Sequence, residues 1–220
     1  MSVTLGLVTI GQAPRTDVTP DIRSHLPDDV EVVEVGALDR FNSTEAIEAK
    51  AGPTDDEPVY VTRLRSGDSV TIDREATHKL TQERVREIEA DVDTIGLLCT
   101  GSFPDLSASV PVLEPSELLH AWATGIVSAA TTVGVLIPKP EQFSQTHEKW
   151  GTDIEAAVGS PYDGLDAVVT GAIELGTEPD LVVLDCIGYT PEMKREVARR
   201  TDASVLLARS VLRKTATELL

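Results

Sequence analysis

Leu181-Val182-Val183-Leu184-Asp185-Cys186-Ile187-Gly188-Tyr189-Thr190 is a short apolar run that reaches a cysteine and then breaks into a turn carrying glycine and threonine. A short, continuous apolar run bounded by a turn reads as a strand buried on both faces, the kind a parallel sheet needs. Residues 191–200 beyond it read as a helix. The same plan appears upstream, where the run 94–99 ends at Cys99 and gives way to Thr100-Gly101-Ser102. Working outward, strands are expected at 4–10, 30–36, 94–99, 133–137, 181–186 and 204–207, and helices at 18–26, 43–50, 74–91, 116–130, 139–150, 161–175, 191–200 and 211–219. A weaker strand reading at 166–169 competes with the 161–175 helix, and the helix is preferred. This alternation is the pattern of βα units that build parallel sheets.

One segment departs from the alternation. Two β-rich runs, Val59-Tyr60-Val61-Thr62-Arg63-Leu64-Arg65 and Ser69-Val70-Thr71-Ile72, flank Ser66-Gly67-Asp68 and predict a hairpin over about 58–72. The stretch 52–58 before it, polar and with two prolines, reads as a surface loop. The fold class expected is α/β, with two similar lobes, each a mainly parallel sheet flanked by helices, and a β-hairpin insertion in the first. The lobes are expected at 1–115 and 116–203, with a C-terminal strand and helix, 204–220, packing back on the first.

With 220 residues and 41% hydrophobic residues the chain has material for a packed core, built from aliphatic side chains because aromatics make up only 4%. The formal charge is -18, from 37 acidic against 19 basic residues, and six of the basic ones are Lys. A phosphate backbone needs a basic face, so nucleic acid is not an expected partner. An acidic, Lys-poor surface with a nearly normal apolar fraction fits a protein kept soluble in high salt, or an ordinary acidic enzyme. The N-terminus lacks a basic region and a long apolar run, and no window approaches the ~20 apolar residues of a membrane span. The chain is therefore expected to be cytoplasmic, without a membrane partner, and its two cysteines to be free thiols.

In open α/β sheets ligands bind beyond the carboxyl ends of the strands, where backbone N–H groups are exposed. Three strand ends carry suitable chemistry: Thr9-Ile10-Gly11-Gln12-Ala13-Pro14-Arg15, Cys99-Thr100-Gly101-Ser102 and Cys186-Ile187-Gly188-Tyr189-Thr190. Glycine lets the backbone approach a ligand, hydroxyls add donors for a carboxylate, and Arg15 would close the set as a bidentate clamp. A thiol among such donors loses its proton below the ~8.5 of free cysteine.

Cys99 and Cys186, expected to face one shared pocket, suggest two-base racemisation or epimerisation. One thiolate takes the proton from a carbon next to a carboxylate and the other thiol returns one to the opposite face, each sulfur about 3–3.5 Å from that carbon. A single cysteine would instead protonate an enediolate left by decarboxylation, or add to an activated double bond. The competing reading is that both are small buried hydrophobes; a redox pair has no Cys-x-x-Cys spacing to support it. Asp185, by strand alternation, points to the face opposite Cys186 and reads as a buried structural acceptor. His25, His78, His120 and His147 show no metal-ligand spacing and read as surface or helix-face residues, so no metal is expected. Gly11, Gly101 and Gly188 form no G-x-G-x-x-G run, so no dinucleotide site is expected. Arg63, Arg65 and Arg74 around the hairpin read as solvated partners of nearby acids.

The opening Thr9-Ile10-Gly11-Gln12-Ala13-Pro14-Arg15-Thr16-Asp17, the hairpin, Leu184-Asp185-Cys186-Ile187-Gly188 and Ser204-Val205-Leu206-Leu207 together resemble the AroM family over essentially the whole chain. That family is similar to the aspartate/glutamate/hydantoin racemase group, which includes arylmalonate decarboxylases and maleate isomerases, all two-lobed with cysteines at equivalent strand ends. The resemblance implies an enzyme without cofactors and suggests a homodimer. It matches Cys99-Thr100 to the first cysteine loop, Cys186 to the second, and Thr9 and Gly11 to the opening loop. Racemases usually carry Asn or a second Thr close after the first cysteine and Thr directly after the second, where this chain has Gly101 and Ile187. The expectation is a racemase-like or isomerase-like enzyme on a small carboxylate, with Cys99 and Cys186 as acid and base. Thr9, Gly11, Gln12, Arg15, Thr100, Gly101, Ser102, Gly188 and Thr190 would hold the substrate. A non-catalytic sensor of a carboxylated metabolite is the main alternative, and a protein–protein role a third.

Overall fold

A computed structural model describes residues 3–53, 58–128 and 131–220. The chain divides into two compact units, Met1–Glu114 with Leu212–Leu220, and Pro115–Val211.

In the first unit the elements run β1 (Val3–Thr9), α1 (Thr19–Arg23), β2 (Val30–Gly36), α2 (Thr44–Ala51), β3 (Val59–Arg63), β4 (Ser69–Asp73), α3 (Arg74–Ile88), β5 (Thr94–Leu98) and β6 (Val112–Leu113). The sheet order is β2-β1-β5-β6, every pairing parallel. All five residues of β5 are buried, as expected of a strand covered on both faces. β3 and β4 form the expected antiparallel hairpin, Tyr60 opposite Ile72, and both side chains join the core with Val8, Leu97, Cys99 and Phe103. Asp73 ends the hairpin and starts α3, its carboxylate accepting from Ala76 N at 2.7 Å.

In the second unit α4 (Pro115–Ile126) precedes β7 (Val133–Ile137), a 3₁₀ turn (Pro140–Gln142), α5 (Phe143–Trp150), β8 (Ile154–Val158), α6 (Leu165–Leu175), β9 (Leu181–Leu184), α7 (Pro191–Thr201) and β10 (Ser204–Leu207). Its sheet, β10-β9-β7-β8, is parallel throughout. α8 (Ala208–Leu219) begins in this unit and ends in the other. The α/β class, with parallel sheets flanked by helices and a hairpin, is thus the observed one.

Several expectations change in detail, among them the short strand β6, which was not expected, while the preferred helix over 166–169 is observed. The strand at 204–207 does not pack back on the first lobe: β10 pairs in parallel with β9, so only the helical segment Leu212–Leu220 belongs to the first unit. That segment is held there by Arg213 on Asp21 at 3.2 Å and by Thr217 on the His25 carbonyl at 3.3 Å. β8 was not expected; Glu155 interrupts its apolar run, and the strand sits at the sheet edge beside β7. Residues 166–169 lie inside α6, which starts only at Leu165, after Gly164 in a positive-φ conformation. The expected loop 52–58 and the end of the expected helix 116–130 include residues 54–57 and 129–130, outside the described residues. Among the described residues no helix is long and apolar enough to cross a membrane.

Candidate functional site

In the first unit, β5 ends at Leu98 and delivers Cys99, 8% exposed, to a turn. The Gly101 N–H donates to Cys99 Sγ at 3.2 Å. That turn exists because residue 101 lacks a side chain. A Cβ there would lie 2.5 Å from Tyr60 Cζ, so the tyrosine ring rests directly on the glycine. The Tyr60 hydroxyl donates to the Ser102 carbonyl at 2.9 Å and stands 3.1 Å from His78 Nε2. Tyr60, His78 and Phe103 form one ring cluster, with centroids 4.6 to 5.8 Å apart. Burial, reinforced by Cys99, pushes the Tyr60 hydroxyl far above its ordinary range; burial, reinforced by the Arg74 charge, lowers the His78 pKa. Both groups are therefore neutral at neutral pH.

The loop after β1 lies in the same unit. Thr9 is fully buried, and its Oγ1 accepts from Gly11 N at 3.2 Å and from Arg15 Nη1 at 3.3 Å. Two of the residues expected to contact substrate make several bonds within the chain. The Gln12 amide donates to the Phe41 and Leu38 carbonyls and accepts from Arg65 N, tying three loops together. Arg15 is 2% exposed and meets Asp17 through two parallel 2.8 Å bonds, so its charge is matched within the chain rather than presented as a clamp. Arg65 pairs with Asp39, as read for the hairpin arginines.

In the second unit, β9 ends at Leu184, and Cys186, 6% exposed, opens the turn. The Gly188 N–H donates to Cys186 Sγ at 3.4 Å. Here too a tyrosine ring lies on the glycine: a Cβ at 188 would be 2.9 Å from Tyr162 Cε1 and Cζ. Unlike Tyr60, Tyr162 brings its hydroxyl to the sulfur, at 3.6 Å. Arg209, 2% exposed, donates to the Ile187 carbonyl through Nε (3.2 Å) and Nη2 (3.0 Å), and to the Gly188 carbonyl at 2.9 Å. The Ile187 carbonyl and the Gly188 N–H belong to one planar trans peptide and point in opposite directions. By holding the oxygen, Arg209 aims the N–H at the sulfur.

Thr190 caps α7, its hydroxyl accepting from Met193 N at 3.2 Å, and stays half-buried at the end of the turn. Asp185 is the buried acceptor that strand alternation implies: Lys149 Nζ reaches it at 2.8 Å and Trp150 Nε1 at 2.7 Å. Tyr189 is fully buried and donates to the Gly159 carbonyl at 2.7 Å. Burial, then the Cys186 charge, raises its pKa, so it stays neutral.

The structure thus groups Thr9, Gly11, Cys99, Thr100, Gly101 and Ser102 in the first unit and Cys186, Gly188 and Thr190 in the second. Sequence reasoning missed Tyr60, His78, Tyr162 and Arg209. Each touches its cysteine turn from a distant point in the chain, and no local spacing marks it; His78, read as a surface or helix-face residue, lies on α3 and is half-buried against Tyr60. Among the described residues no group of three or more His, Cys, Asp or Glu is placed to hold a metal ion.

The fold is similar to that of several solved structures. Glutamate racemase from Campylobacter jejuni subsp. jejuni matches with a TM-score of 0.62 at 14% identity, covering 99% of this chain and 86% of that one. Picrophilus torridus aspartate racemase matches with 0.61 at 11%, covering 99% and 94%. A liganded double variant of arylmalonate decarboxylase matches with 0.62 at 13%, covering 99% and 92%. At these identities the likeness is one of fold, the racemase-like α/β fold. No curated protein matches the chain by sequence. The model of the AroM protein family matches residues 5–220, so the chain belongs to the AroM family.

Proposed function

We propose that this protein is a cofactor-independent racemase- or isomerase-type enzyme acting on a small carboxylate, with Cys99 and Cys186 as the acid and base of one reaction. The observation that carries the reading is that both thiols, each just past a parallel strand, accept the N–H of the glycine two residues on. A backbone donor aimed at sulfur favours thiolate over thiol, which is the form a base requires. The fold's likeness to glutamate racemase, aspartate racemase and arylmalonate decarboxylase supports the same class.

In this reaction one thiolate takes the proton from the carbon next to the carboxylate and becomes a thiol. The carbanion is held as its enolate, and the other thiol gives its proton to that carbon and becomes the thiolate. Thr9, Gly11, Thr100, Gly101, Ser102, Gly188 and Thr190 are the proposed substrate contacts. Gln12 and Arg15 are proposed instead to hold the β1 loop, Gln12 through the Phe41 carbonyl and Arg65 N–H and Arg15 through Asp17.

The test is α-proton exchange followed by NMR in D₂O for a panel of amino acids, hydantoins and substituted malonates. General acid–base groups contribute roughly 10²- to 10⁴-fold, so Cys99→Ala and Cys186→Ala are each expected to reduce exchange by about that factor while binding is kept. Ligand binding without turnover, equal in all three proteins, would make this a carboxylate sensor instead.

A further inference from the structure

We propose that Tyr162 is the positioning residue of Cys186: its hydroxyl donates to the sulfur and holds it as the thiolate. That this thiolate serves as a base rests on the function proposed above; the hydrogen bond itself does not. The Oη–Sγ separation of 3.6 Å is within hydrogen-bond reach of the large sulfur atom. The Gly188 N–H approaches the same sulfur at 3.4 Å. Two donors converging on one sulfur gain little from a neutral thiol, a weak acceptor, and much from a thiolate.

Both donors are fixed by neighbours. Tyr162 cannot move closer to the turn, because its ring already lies against the bare Cα of Gly188, beside Pro161. The Gly188 N–H cannot turn away, because Arg209 grips the carbonyl of the same peptide. No proton moves in this arrangement: Tyr162 keeps its own, and a substrate proton goes to sulfur alone.

The first unit supplies an internal control. Tyr60 lies on Gly101 as Tyr162 lies on Gly188, but its hydroxyl donates to the Ser102 carbonyl. The two tyrosines therefore differ in where the hydroxyl goes, and only Tyr162 is assigned to a thiol.

The experiment uses the full chain with Cys99→Ala, so that Cys186 is the single thiol, and measures its alkylation by iodoacetamide from pH 5 to 10. Tyr162→Phe keeps the ring on Gly188 and removes only the hydroxyl. Loss of one hydrogen bond to a charged acceptor is expected to move the titration up by about one pH unit, and so to slow alkylation at neutral pH about fivefold to tenfold. Tyr162→Leu, which removes the ring as well, is the second variant and should show at least the same upward shift. Tyr60→Phe should leave the Cys186 profile in place. An unchanged profile in Tyr162→Phe, with an unchanged melting temperature, overturns the proposal, as does an equal shift in Tyr60→Phe. Because alkylation needs no substrate, this result stands whether or not any carboxylate in the exchange panel turns over.

Discussion

The two cysteine turns reach the same local geometry with different parts. In each, a thiol less than a tenth exposed accepts the N–H of the glycine two residues on, and a tyrosine ring occupies the space a Cβ would need. In the first unit the tyrosine comes from a hairpin strand and fastens the turn with its own hydroxyl, through the Ser102 carbonyl. In the second it comes from the loop after β8, and an arginine from α8 does the fastening, which leaves the tyrosine hydroxyl for the sulfur. The common demand is a bare glycine under a ring with its N–H aimed at sulfur. What anchors the turn differs between the units, and so does the strength of that anchor.

Removing the anchors tests this most strongly. Arg209→Met strips charged donors from the buried Ile187 and Gly188 carbonyls, and hydrogen bonds to charged groups are worth about 1.5–3 kcal/mol each. The expected loss is about 3 kcal/mol in chemical denaturation, against about 1–2 kcal/mol for Tyr60→Phe, which removes two neutral bonds, to the Ser102 carbonyl and to His78 Nε2. Equal losses would mean that the two turns are anchored equally and that the comparison fails.

Filling the glycines is the next step down. Gly101→Ala and Gly188→Ala both force a methyl into a tyrosine ring, and overpacking costs about 1–3 kcal/mol. Gly101→Ala should cost more, because its Cβ meets the ring at 2.5 Å rather than 2.9 Å and Tyr60 is only 4% exposed. Tyr162 is only half-buried, so fewer surrounding atoms must shift to take up the methyl. Thermal melts of the two variants give the order; the reverse order would show that the hairpin yields more easily than the loop after β8.

These contrasts also show what a sequence can and cannot reveal. The strands ending near Cys99 and Cys186 are legible because a buried parallel strand is a local apolar run, and Asp185 is legible because alternation along a strand is local too. The anchors are not legible: Tyr60 meets Gly101 across 41 residues, and Arg209 meets Ile187 across 22, through contacts that only the folded chain creates. Gln12 shows a related limit. A polar side chain beside a strand-end glycine looks like a ligand donor, and nothing nearby in sequence says that the Leu38 and Phe41 carbonyls and the Arg65 N–H engage its amide. β10 was legible as a strand, but its partner was not, since pairing is set by the sheet and not by the run itself.

The smallest effect expected is a pH dependence that belongs to the first turn through His78. Burial and the Arg74 charge lower its pKa below the ordinary 6.5, outweighing the Ser102 carbonyl and the carboxylates of Asp105 and Asp73, which act the other way. The folded chain therefore holds His78 neutral at a pH where the unfolded chain has begun to protonate it. Stability from this residue is present above pH 6.5 and is lost as the pH falls through the lower, folded value, because the unfolded state binds more protons in between. His78 is half-buried, so solvent screens the effect and it should fall below the Tyr60→Phe step. Denaturation of wild type and His78→Gln at pH 7.5 and 5 isolates it: the carboxylates contribute alike to both proteins, and the variant should lose less stability on acidification. If both proteins lose the same amount, His78 is not coupled to folding, and its hydrogen bond to Tyr60 is no part of what anchors the Cys99 turn.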